Sequence, residues 1–162
     1  MLDLDRIWQR AQEHFDQRPE VDMRAHAEAV VRRVRELKAM DEPGEEAIAV
    51  PAAILHDVGI PRALRLHPHA GVTGQEVESA VIDRDILAEL GAPPAQLEAI
   101  CGIIGIHHHR PAHATAEFKL VYDADLLVNL AESPRAVCDP ACDFYTRSAS
   151  ELAQAMLSEE SR

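Results

Sequence analysis

The stretch Ala47–Leu55 runs nine residues without a polar side chain and ends on His56-Asp57. Glu45 to Val58 around it reads as a helix that is apolar nearly all round, and such a helix must be covered on every side. The run is far short of the ~20 apolar residues that cross a bilayer, so it predicts a central buried helix and no membrane partner. No stretch alternates apolar and polar residues as a strand would. Between Pro19, Pro43-Gly44, Gly59 to Pro61, His67 to Gly74, Gly91 to Pro94, Arg110 to His113 and Pro134 lie stretches with helical spacing. The chain therefore reads as all-α, a single-domain helical bundle of about six or seven helices. The domain covers 1–162, its core 20–132, since a chain of 162 residues suits one domain at roughly 150 residues each.

The helices have identifiable causes. Asp22 to Met40 carries His26, Val30, Val34 and Leu37 on one stripe. Pro51 sits inside the central helix as a kink site, and Gly59 suits the left-handed position that ends it. Thr73-Gly74-Gln75-Glu76 is a capping box opening a helix to Leu90, closed by Gly91. Pro93-Pro94 opens a helix to about His108. Ala116 to Ala131 and a tail helix over about 144–157 complete the set.

Charge narrows the partners. Sixteen Lys and Arg against 28 Asp and Glu leave a net charge of −12, which argues against nucleic acid and anionic membranes. A small anionic substrate stays compatible, because a bound cation reverses the field locally. The start Met1-Leu2-Asp3-Leu4-Asp5 is acidic where a signal peptide is basic, so a cytoplasmic protein with reduced thiols is expected. Cys138 and Cys142 form a C-x₃-C in the tail without two further ligands at zinc-finger spacing. A homo-oligomer stays open.

Seven of the nine histidines fall between residues 56 and 113. Asp57 ends an apolar helix, facing the negative end of its dipole in a poorly hydrated place; an adjacent cation relieves both problems. The plainer reading is a solvated Asp beside a core His. His26 lies on the inward stripe of its helix. His107 and His108 continue the stripe of Leu97, Ile100, Cys101 and Ile104, whereas His109 is ~200° around from His107 and points away. Glu78 sits on the apolar face of Ile82 and Ile86, while Glu76 is accounted for by the capping box. In Asp123-Ala124-Asp125 the two carboxylates are ~200° apart, so only one faces a given site. Asp125 shares a polar stripe with Asn129 and Glu132, and Asp123 falls between Leu120 and Leu127.

His26, then Ala53-Ile54-Leu55-His56-Asp57-Val58-Gly59, then Tyr122-Asp123-Ala124-Asp125 resembles the H…HD…D signature of the HD-domain metal-dependent phosphohydrolase superfamily. Ile103-Ile104-Gly105-Ile106-His107-His108 is similar to the same family's helix end. The resemblance covers roughly residues 20–132. It implies an all-α fold with His26, His56, Asp57 and Asp125 as ligands of a divalent metal (Mn, Fe, Co, Ni, Mg or Zn), Asp125 being preferred to Asp123. It implies hydrolysis of a nucleotide or other small phosphate ester or anhydride by a metal-activated water. Asp57 or Glu78 would then serve as base and His107 or His108 as acid, with Arg110 a bidentate clamp for phosphate and Arg62, Arg65 and Lys119 weaker candidates.

The sequence departs from the pattern at Ile60, where many members carry a polar side chain. Glu78 stands about where two-metal members place a histidine, which leaves room for a second metal. Two other readings stand beside the hydrolase: a di-iron oxygenase of the HD type, and a metal-stabilised module that binds a ligand without catalysis.

Overall fold

The structure, a computed structural model, describes residues 1–133 and 143–160. These form eight helices and no strand: α1 (Leu4–Phe15), α2 (Met23–Ala39), α3 (Glu46–Leu55), α4 (Ile60–Leu66), α5 (Gly71–Glu89), α6 (Pro94–Ile104), α7 (Ala116–Glu132) and α8 (Arg147–Glu160). The all-α class is as expected. The helices that spacing did not place are α1 and α4. In α1, Ile7, Ala11 and Phe15 bury one stripe, and the Asp3 carboxylate accepts from the Asp5 and Arg6 N–H groups at 3.0 and 3.3 Å. In α4, Pro61 stands in the first turn, where its missing N–H has no helical partner to lose. What reads in the sequence as a break is therefore a helix start.

Helix α3 is the axis of the bundle, packed against α1, α2, α6 and α7. Its residues from Ala49 to Leu55 are all buried. Pro51 cannot donate to the Ala47 carbonyl, and the Gln96 side chain of α6 donates to that oxygen instead at 2.8 Å. Helix α2 packs against both α3 and α7, and α4 lies on α5. No single helix among the described residues is long and apolar enough to cross a membrane.

Three local expectations need correction. Gly59 has φ −84°, not the left-handed conformation. Its missing side chain serves close approach: a Cβ there would stand 2.1 Å from the Ser79 nitrogen, and the Gly59 N–H donates to Ser79 Oγ at 2.9 Å. Helix α5 begins at Gly71 without a side-chain cap, so the Thr73 capping box does not form. Helix α6 stops at Ile104, four residues before His108. Gly91, at φ +72°, does end α5 as expected, and Thr115 caps α7 by accepting from the Phe118 N–H at 3.1 Å. Cys138 and Cys142 lie outside the described residues. Cys101 is buried in the α6 stripe, and burial pushes its thiol up to about 11.

Candidate metal centre

Three segments far apart in sequence bring four ligand-type side chains together. His26 comes from α2, His56 and Asp57 from the end of α3, and Asp125 from α7. His26 Nε2 is 3.1 Å from Asp125 Oδ1 and 3.8 Å from Asp57 Oδ2. His56 Nε2 is 3.3 Å from Asp57 Oδ2 and 3.6 Å from Asp125 Oδ1. Ligands held about 2.1 Å from a common ion stand about 3.0–3.4 Å from their neighbours in octahedral or tetrahedral geometry. The four separations are at or just above that range.

The imidazoles are oriented from behind. His56 Nδ1 donates to the Ala53 carbonyl at 2.8 Å, and His107 Nδ1 to the Ile104 carbonyl at 2.7 Å. A carbonyl only accepts, so the hydrogen sits on Nδ1 and Nε2 is the nitrogen presented inward. His26 Nδ1 lies 3.3 Å from both Glu132 carboxylate oxygens, and Asn129 Nδ2 donates to Asp125 Oδ1 at 3.1 Å. The polar stripe of Asp125, Asn129 and Glu132 thus serves one site. His56 Nε2, His107 Nε2 and Asp57 Oδ1 are buried and have no hydrogen-bond partner. Leaving one such atom unsatisfied costs about 1–3 kcal/mol. All three are of ligand type, and the two imidazoles flank the Asp57 carboxylate from its two oxygens, an arrangement that fits a cation.

Electrostatics agree. Burial opposes a charged His56, but the Asp57 and Asp125 carboxylates beside it hold the imidazole well above its ordinary value. At His26 burial likewise pulls down, and its hydrogen bond to Asp125 with the nearby Asp57 charge raises the net value. Burial pushes the Asp57 and Asp125 carboxyls up, and the facing imidazoles more than reverse this, leaving both below the usual carboxylate range. In the metal-free protein, protons on the histidines stand where a cation's charge would.

Asp57 also faces a second group. His107 Nε2 is 3.5 Å from Asp57 Oδ1, and Asp57, His107 and His108 present ligand atoms within 4.8 Å of one another, as His26, His56 and Asp57 do. His107 is buried and His108 partly so.

Other sequence candidates stand outside this cluster. Glu78 is paired with Arg62 at 2.8 Å and His67 at 3.0 Å, so its carboxylate is already neutralised. Arg110 is no free clamp: it donates to the Asp143 carbonyl at 2.9 Å, pairs with the Asp143 carboxylate at 3.0 Å and lies over the Tyr145 ring. Asp123 accepts from the Tyr145 and Thr146 N–H groups, both at 2.8 Å, and from the Thr146 hydroxyl at 2.7 Å. It secures the approach to α8 rather than the centre.

Sequence reasoning missed two buried carboxylates. Glu76 accepts from the His108 N–H at 3.0 Å and bonds His109 Nε2 at 3.0 Å, bracing the histidine segment. Its position between Gln75 and Val77 gave no sign of this, because the contact is to a turn more than thirty residues away. His109 therefore does point away from the centre, but onto Glu76. Asp83 is fully buried with neither oxygen partnered, and burial raises its carboxyl well above the ordinary value.

The centre opens, at His26 and Asp57, onto a cleft of about 490 Å³. No family model matches the sequence, and no curated protein matches it. A solved structure does resemble it: a predicted HD superfamily hydrolase from an uncultured Thermotogales bacterium, 21% identical, with a TM-score of 0.74 over 98% of this chain and 87% of that one. The chain shares the fold of that structure, and its His/Asp cluster is a candidate site for a divalent metal.

Proposed function

We propose that the protein is a metal-dependent phosphohydrolase acting on a small phosphate ester or anhydride, nucleotides included. The observation that carries this reading is the pair of ligand groups that share Asp57, with His56 Nε2, His107 Nε2 and Asp57 Oδ1 buried and unpartnered, next to a cleft lined by His26 and Asp57. When bound, a divalent ion supplies Lewis acidity at a phosphoryl oxygen and a water nucleophilic at neutral pH.

His26, His56, Asp57 and Asp125 would hold the ion. Glu132 and the Ala53 carbonyl fix the ring orientations of His26 and His56. His107 and His108 are the side chains left to move a proton at the leaving oxygen. Burial and the neighbouring His107 hold His108 below the ordinary histidine value, so at neutral pH it accepts rather than donates. His107, its Nδ1 held by the Ile104 carbonyl, presents Nε2 beside Asp57 as the second group placed to move a proton. The structural likeness supports hydrolysis at the level of the fold.

The test is metal analysis of the purified chain followed by a panel of nucleotides and phosphomonoesters with Mn²⁺, Co²⁺, Ni²⁺ and Mg²⁺. Asp57→Ala is expected to lose metal and activity together. His107→Ala is expected to lower kcat by about 10²–10⁴, the range for a positioned acid or base. His109→Ala, on the Glu76 side, should keep most of the activity. Turnover that survives complete chelation would remove the basis of this reading.

The position of Asp57 between two ligand groups favours a second reading, a two-iron oxygenase. Two irons per chain with oxygen consumption and no phosphate release would establish it instead.

A further inference from the structure

The cleft beside the centre has a mixed lining. His26 and Asp57 of the centre line it, and so do the apolar side chains of Val21, Met23, Ile60 and Leu64. Val21 and Leu64 are 50% and 38% exposed, large apolar side chains left facing solvent beside a cluster of charges. Scattered exposed apolar residues are ordinary, but four lining one cleft make a surface that an apolar ligand would cover. Ile60 stands directly after the His56–Gly59 turn, so this surface begins within reach of the centre.

The charges around the cleft restrict what else the ligand carries. The Asp22 carboxylate caps α2 by accepting from the Ala25 N–H at 2.9 Å, and the Glu132 carboxylate is held by His26. Arg18 is the cation of the lining, and only its Nε is drawn off, by Glu20 at 2.7 Å. With a divalent ion balancing Asp57 and Asp125, the remaining lining bears one net negative charge, in a chain whose total is −12. A polyphosphate finds little to neutralise it there. One phosphate, shared between the ion and Arg18, is accommodated. The volume, about 490 Å³, is that of a small-molecule site.

We infer that this cleft selects a phosphomonoester with an apolar body, the phosphate at His26 and Asp57 and the body against Val21, Ile60 and Leu64. This inference rests on the phosphohydrolase reading for the phosphate end and on the cleft wall for the rest. It makes Leu64 and Ile60 determinants of specificity and Arg18 a phosphate-binding residue.

The experiment is calorimetric titration of the full chain, with and without Mn²⁺, using inorganic phosphate, ethyl, butyl and hexyl phosphate, and adenosine triphosphate. Affinity is expected to rise about three- to four-fold per methylene along the alkyl series. Val21→Asn and Leu64→Asn, both at exposed positions, should flatten that series while leaving inorganic phosphate binding unchanged. Arg18→Ala should weaken all the phosphates alike and keep the increment per methylene.

The inference is overturned if hexyl phosphate binds no better than inorganic phosphate, if no member of the series binds, if the triphosphate binds tighter than hexyl phosphate, or if the series survives both asparagine variants. The two readings fail separately. Hexyl phosphate that binds with the full increment but is never hydrolysed keeps the ligand class and removes the hydrolase. Hydrolysis of esters without any increment does the reverse.

Discussion

Asp123 and Asp125 occupy one helix two residues apart and face opposite ways. Asp125 meets His26 and His56, whereas Asp123 accepts three hydrogen bonds from Tyr145 and Thr146. Their substitutions should separate cleanly. Asp125→Asn is expected to lose bound metal, read by elemental analysis of the purified protein. Asp123→Asn is expected to keep the metal and lower the melting temperature by several degrees, because hydrogen bonds to a buried charged group contribute about 1.5–3 kcal/mol each. Metal lost from Asp123→Asn and kept by Asp125→Asn would invert the assignment. The ~200° offset between the pair is legible in the sequence, and so is the inward stripe of His26. Glu76 and Arg110 are not, because what each touches is decided by segments that local spacing does not reach. Arg110 follows the histidines in sequence, yet its guanidinium turns to Asp143 and Tyr145.

At the scale of elements, the turn between α3 and α4 depends on Gly59. A side chain there meets the backbone of Ser79 and Glu78, which no rotamer change can move aside. Gly59→Ala should push α5 away from the turn that carries Asp57. The expected cost is about 1–3 kcal/mol, at the upper end because the clash is with backbone, visible in urea unfolding. Metal affinity should fall with it. An unfolding midpoint equal to the parent's would mean that α5 moves freely. Long helices with continuous apolar spacing, such as α2 and α7, are legible in the sequence. Helix α4 is not, since Gly59-Ile60-Pro61 reads as a break until the Pro is placed in a first turn. The end of α6 is also hidden: His107 continues the apolar stripe by spacing, but its burial comes from a turn and a bond from Nδ1 to the Ile104 carbonyl.

For the whole molecule, the raised histidines couple stability to pH. Without metal, His26 and His56 sit above their ordinary value despite burial, because carboxylates face them. A raised imidazole contributes stability that is complete below about pH 6.5 and is lost as the pH climbs through its raised value. A cation needs the same nitrogens bare, so its contribution grows over that interval. A ligand at 100 times its Kd adds about 2.7 kcal/mol, or roughly 5–10 °C for a chain of this size. The melting temperatures with excess Mn²⁺ and with chelator are therefore expected to lie close together near pH 6 and to separate by that amount near pH 8. Scanning calorimetry at the two pH values checks this, and a gap that narrows toward pH 8 contradicts it. Asp57 and Asp125, held below the usual range, lose their contribution only at more acidic pH.

The centre joins residues 99 positions apart, His26 and Asp125. At a synthesis rate of about 5–20 residues per second, Asp125 leaves the ribosome roughly 5–20 s after His26. Until then the nascent chain carries His26, His56 and Asp57 without the α7 side that completes their coordination. The full set therefore exists only once α7 has been made, when α2 and α3 have already had time to pair, so an ion that needs all four residues would act on the last step of maturation and leave the first untouched.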